Sequence, residues 1–151
     1  MSLNAEVELL RGTPIFGAIA PAMQKLLCFT SERLIYDAGQ VLFREGEAAD
    51  AAYVLVNGVV EIAVQTLVGQ LRLNTLGRND VFGETGVLAG VPRTATATAK
   101  CRVEVLRISK ELFCKIVQES PGAALRLNEV LARRLADTTG RLGAAAVGTS
   151  G

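Results

Sequence analysis

The chain contains no histidine and no tryptophan, and the missing imidazole has the larger chemical consequence. Histidine is the side chain whose ordinary pKa lies near neutrality, and it is the commonest general base and metal ligand. Ser31, Ser109 and Ser120 therefore have no imidazole to activate them, which excludes a Ser-His-Asp nucleophile. Binding, not turnover, is the expected activity. Cysteine is scarce too: Cys28, Cys101 and Cys114 form no close-spaced pair, so neither a metal site nor a disulfide framework is predicted. Each reads best as a small buried hydrophobe in a reducing, cytoplasmic setting. No cofactor is expected.

Long apolar runs are also absent. Nothing approaches the roughly 20 residues that a membrane span needs, and no charged amino terminus precedes a signal-peptide apolar block. Net charge is only +1 with both signs interspersed, which leaves no electrostatic footprint for direct nucleic-acid binding or for an anionic membrane. Half of the residues are hydrophobic while aromatics make up 5%, so the core should be built from Val, Leu, Ile and Ala. At 151 residues the chain suits one domain with a sizeable interior.

What is present reads as short helices around a β-structure. Ala5 to Arg11 and Pro21 to Phe29 suggest two helices, separated by Gly12-Thr13-Pro14 and a Phe16-Gly17 turn. Arg33 to Tyr36, Val41 to Phe43, Ala52 to Asn57, Val59 to Thr66, Gln70 to Leu76 and Arg102 to Ile108 are short alternating or β-branched runs punctuated by turn residues, the pattern of a sandwich or barrel. Asn57-Gly58 predicts a type I′ hairpin because both residues tolerate positive φ. Thr94 to Ala99 alternates threonine with alanine, so a strand there puts all three threonines on one face. Ser109 suits an N-cap for a helix to about Glu119, and Ser120-Pro121 opens a last helix to about Asp137. Leu127, Leu131 and Leu135 give that helix an apolar stripe.

The chemistry concentrates in Phe82-Gly83-Glu84-Thr85-Gly86-Val87-Leu88 and in Pro92-Arg93-Thr94-Ala95. A Gly-Glu-Thr-Gly run lets backbone N–H groups converge at the start of a short helical turn, where a phosphate is favoured. The guanidinium of Arg93 supplies a fork that can bond two phosphate oxygens. An ionised Glu84 can only accept, which suits a sugar hydroxyl.

This segment resembles the phosphate-binding cassette of the cyclic nucleotide-binding domain family, and the likeness runs from about Leu10 to about Leu135. Upstream, Ala38-Gly39-Gln40-Val41-Leu42-Phe43, Glu45-Gly46-Glu47 and the run from Tyr53 to Ile62 resemble the family's glycine-punctuated early strands. The resemblance implies an α+β fold: an antiparallel β-roll (a double-stranded β-helix, or jelly roll) of about eight strands flanked by N-terminal and C-terminal helices. Residues 1–9 then form an N-terminal segment whose Met1-Ser2-Leu3 start fits a leader, residues 10–139 the domain, and residues 140–151 a flexible tail. It also implies that Gly83, Glu84, Thr85, Gly86, Arg93, Thr94 and Ala95 hold a 3′,5′-cyclic nucleotide, cyclic AMP or cyclic GMP. Arg93 reads the phosphate and Glu84 the ribose 2′-hydroxyl. Leu71, Leu73 and Val87 line an apolar wall, and the last helix moves as a lid carrying Arg133, Arg134 or Asp137 to the base. The expected output is signalling through that helix, with a homodimer across it or an effector domain outside this chain as partner. The alternative is a degenerate domain used for dimerisation without ligand. Thr85 stands where the family usually has an aliphatic residue, which does not block a phosphate.

Overall fold

The computed structural model describes the backbone of residues 3–13 and 15–150 and the side chains of residues 7–13 and 15–137. Two helices, α1 (Leu3–Arg11) and α2 (Pro21–Thr30), flank a single 3-10 turn at Phe16–Ala18. Eight strands follow, interrupted by one short helix: β1 (Glu32–Tyr36), β2 (Val41–Phe43), β3 (Ala51–Asn57), β4 (Val60–Thr66), β5 (Gly69–Leu76), β6 (Val81–Phe82), α3 (Glu84–Ala89), β7 (Thr96–Ala99) and β8 (Val103–Ser109). Helices α4 (Lys110–Glu119) and α5 (Pro121–Ser150) close the chain. The strands form two four-stranded sheets, β1-β8-β3-β6 and β2-β7-β4-β5, and all their pairings are antiparallel. This is the expected β-roll with helices at both ends.

Period-two alternation explains why β3 and β8 are buried throughout much of their length. Ala51, Tyr53 and Leu55 enter the interior of the roll with Val103 and Val105. Ala52, Val54 and Val56 face the other way, with Leu106 and Ile108, against Phe16, Leu27, Phe113 and Ile116 of the helical layer. One sheet thus serves two cores. The caps follow from sequence. Ser109 Oγ accepts from Leu112 N at 3.2 Å, and Ser120 Oγ accepts from Ala123 N at 3.2 Å before the first turn of α5.

Three expectations need correction. Asn57-Gly58 is a corner rather than a hairpin, because β3 and β4 belong to different sheets. Gly58 has φ of +99° there, and a Cβ would lie 2.6 Å from Arg102 O, so positive φ and close backbone approach both select glycine. The hairpin is instead β4–β5, with Thr66 opposite Gly69. The strand expected from Thr94 begins at Thr96, since Arg93 N donates to Glu47 O at 2.7 Å and pulls the preceding residues into a separate bend. Helix α5 continues to Ser150 rather than ending near Asp137. Residues 144–146 are three consecutive alanines, the best helix formers, and no proline follows Pro121 to stop the helix.

Candidate functional site

The α3 turn, the Arg93 bend, the inner faces of β4 and β5, and α5 enclose a cavity of about 470 Å³. Gly83 opens it in the left-handed region at φ +76°. A Cβ there would stand 2.8 Å from Arg93 Nη1 and 3.3 Å from both the Phe43 and Tyr53 rings. Glycine is thus required by conformation and by space.

Arg93 is buried, at 4% exposure, and its surroundings account for its pose. Nη1 donates to Gly83 O at 2.7 Å and Nη2 to Ala51 O at 2.8 Å. The guanidinium lies 4.2 Å above the Phe43 ring centroid, a favourable cation–π placement, while Phe43, Tyr53 and Phe82 pack on one another beneath it. Nε is buried with no hydrogen-bond partner. Burial pushes the guanidinium below its usual pKa, opposed by Tyr53 and Asp50; the group stays cationic at physiological pH.

Glu84 is the second buried ionisable group, at 1% exposure. Its Oε1 accepts from Arg134 Nη1 at 2.5 Å, and Arg134 also donates to Val81 O. Burial pushes the carboxyl above its ordinary range, and the adjacent Arg134 guanidinium opposes that shift. The cavity therefore brings together a cation with an unpartnered donor and a carboxylate with capacity to accept.

Thr85, Gly86, Thr94, Ala95 and Leu73 line this cavity beside Gly83, Glu84 and Arg93. Of the three lid candidates only Arg134 does so; Arg133 and Asp137 are exposed. Two expected wall residues do not reach it. Val87 is buried in the helical core instead. Leu71 lies outside the lining, although its cross-strand partner Val64 belongs to it, and the bulge between Ile62 and Ala63 brings consecutive Leu73 and Asn74 to the cavity. Sequence reasoning missed Phe43, Ile62, Val64, Asn74, Leu76, Phe82, Leu131 and Leu135. Alternation in β4 carried a usable signal for Ile62 and Val64; Leu131 and Leu135 read only as a packing stripe.

Residues 33–120 match the Cyclic nucleotide-binding domain family. The chain belongs to that family. It is 32% identical over 127 residues to a cyclic AMP receptor protein of Thermus thermophilus, covering 83% of this chain and 59% of the relative. It is 29% identical over 136 residues to a CRP-like cAMP-activated global transcriptional regulator of Mycobacterium tuberculosis, covering 89% of this chain and 61% of the relative. The chain thus spans about three fifths of the length of these curated relatives. Among solved structures, the sensor domain of the transcriptional regulator DNR from Pseudomonas aeruginosa superposes with a TM-score of 0.78 at 28% identity, over 88% of this chain and 90% of that one. Of these two relatives, the first is named as a receptor protein and the second as a transcriptional regulator. Within this cyclic nucleotide-binding domain, no described helix is long and apolar enough to cross a membrane, and no described cluster of three or more His, Cys, Asp or Glu could hold a metal.

Proposed function

We propose that this domain is a regulatory module that binds a 3′,5′-cyclic nucleotide and transmits binding through α5. The observation that carries the reading is the buried Arg93 with its unpartnered Nε–H, in the same cavity as Glu84. An orphaned buried donor on a cation is costly unless an acceptor meets it, and a phosphate oxygen is such an acceptor. In this reading the Gly83 to Gly86 backbone joins Arg93 on the cyclic phosphate, Glu84 accepts the ribose 2′-hydroxyl, and Leu73, Ile62 and Val64 cover the base. Both curated relatives are named for cyclic AMP, which favours that nucleotide. Thr94 at the cavity offers a hydroxyl that can accept from the 2-amino group of a syn guanine, so cyclic GMP is also a ligand to test. The output surface is α5, where Leu125 and Leu135 are exposed, available to a second copy or to an effector domain. The chain has no histidine and the cavity's carboxylate, Glu84, is paired with Arg134, so in this reading the module binds rather than hydrolyses, in a reducing cytoplasmic setting that suits three cysteines without a disulfide.

Calorimetric titration with cyclic AMP and cyclic GMP tests this directly. The parent protein should bind at least one of them, and Arg93→Ala should weaken that affinity by roughly 100-fold, about 3 kcal/mol, with loss of its charge-assisted bonds. Arg93→Lys should be impaired too, because an ammonium cannot reproduce the planar fork. Absence of binding by the parent favours the ligand-free dimerisation module, and unchanged affinity in Arg93→Ala removes the phosphate assignment.

A further inference from the structure

Arg107 lies outside the cavity, yet one shared carboxylate ties it to Arg93. It stands on β8 opposite Glu32 of β1 and Tyr53 of β3, so strands on both sides hold it in register. Its Nη1 meets Glu32 Oε1 at 3.3 Å, and its Nη2 donates to Asp50 Oδ2 at 2.8 Å. The other Asp50 oxygen, Oδ1, faces Arg93 Nη2 at 3.6 Å, beyond ordinary N–H···O reach. One carboxylate therefore sits between two guanidiniums and hydrogen-bonds the outer one. The Asp50 backbone is pinned, because its carbonyl accepts from Lys110 N at 3.0 Å. Side-chain rotation alone then decides which arginine the carboxylate meets.

That division matters because Asp50 and a ligand phosphate compete for the same cation. Resting on the cyclic-nucleotide reading of the cavity, we propose that Arg107 is a positioning residue: it holds the Asp50 carboxylate off Arg93 and offsets its charge, which leaves Arg93 for the phosphate. Asp50 is 66% exposed and Arg107 25%, so solvent and salt screen the effect and it is moderate in size.

The test is calorimetric titration of the purified protein with cyclic AMP, in the parent, Arg107→Met, Arg107→Lys, Asp50→Asn and the Arg107→Met/Asp50→Asn pair, with thermal melts to verify folding. Arg107→Met should weaken binding by about threefold to tenfold at low salt, and the deficit should shrink at about 0.5 M salt. Arg107→Lys should restore most of the affinity. Asp50→Asn should bind at least as tightly as the parent, and adding Arg107→Met to it should change nothing, since the carboxylate through which Arg107 acts is gone. An equal loss from Arg107→Met with and without Asp50 would assign Arg107 to sheet support and overturn the proposal. So would parental affinity in Arg107→Met, with the cavity reading left standing. A parent that takes up no cyclic nucleotide brings down both.

Discussion

A carboxylate as deeply buried as that of Glu84 is costly unless a cation meets it. Arg134 supplies the cation at 2.5 Å, but burial dominates and the carboxyl sits above its ordinary range. The protonated form is thus favoured by folding more than by unfolding. That contribution is fully present below the ordinary carboxylate pKa and is lost as pH rises through the higher folded value, so at neutral pH the ionised side chain carries a cost. Glu84→Gln has no proton to exchange. Its stability relative to the parent, measured by urea unfolding, should be most favourable near pH 7 and should decline as pH falls towards the carboxylate range. An advantage that grows on acidification would contradict the burial argument. Arg93 and Glu84 were legible in sequence because they lie in one compact motif. Asp50 and Arg107 were not, since each is an ordinary surface charge until strand register sets them beside Arg93. Arg134 was one of three candidates, and only the rotation of α5 against the roll separates it from Arg133 and Asp137.

The α3 turn shows how an element constrains the residues it presents. Gly83 lies in the left-handed region, where a Cβ costs about 1–2 kcal/mol. The same Cβ would press on an Arg93 held by two carbonyls and an aromatic face. Gly83→Ala should therefore lose about 1–2 kcal/mol of stability and, in addition, lower cyclic-nucleotide affinity by displacing Arg93. Urea midpoints and calorimetric titration measure the two losses separately, and a stability loss with parental affinity would show that Arg93 tolerates the displacement. Other elements were read less well, for physical reasons. Asn57-Gly58 announces positive φ, which a hairpin and a sheet-to-sheet corner both need, and nothing local distinguishes them. Strand β6 has two residues, too few for a period to show. The β4–β5 bulge that brings Asn74 to the cavity depends on a partner strand, so β5 alone could not reveal it. In β3 every position from Ala51 to Val56 is apolar, so the strand was readable in sequence while the division of its side chains between two cores was not.

At the scale of the whole molecule, α5 is held in two different ways along its length. Ala123 and Leu127 are buried in the helical core, whereas further along the helix Leu131 is half-buried, Leu135 is exposed, and Arg134 binds Glu84 and Val81 O. Hydrophobic packing anchors the first part, and one ion pair with its neighbouring hydrogen bond closes the second over the cavity. Arg134→Met alone strands the Glu84 carboxylate, and losing one partner of a buried pair costs about 3–5 kcal/mol. Adding Glu84→Gln removes the stranded charge and should recover much of that stability. In this double variant, hydrogen exchange should speed up across residues 128–137 and stay near parental across residues 121–127, because only the polar tether has been cut. The same segment is the one expected to respond to cyclic AMP in the parent, by a coupling of about 1–3 kcal/mol. Faster exchange along the whole of α5 would mean that the helix undocks as a unit, and unchanged exchange would mean that Leu131 alone holds it shut.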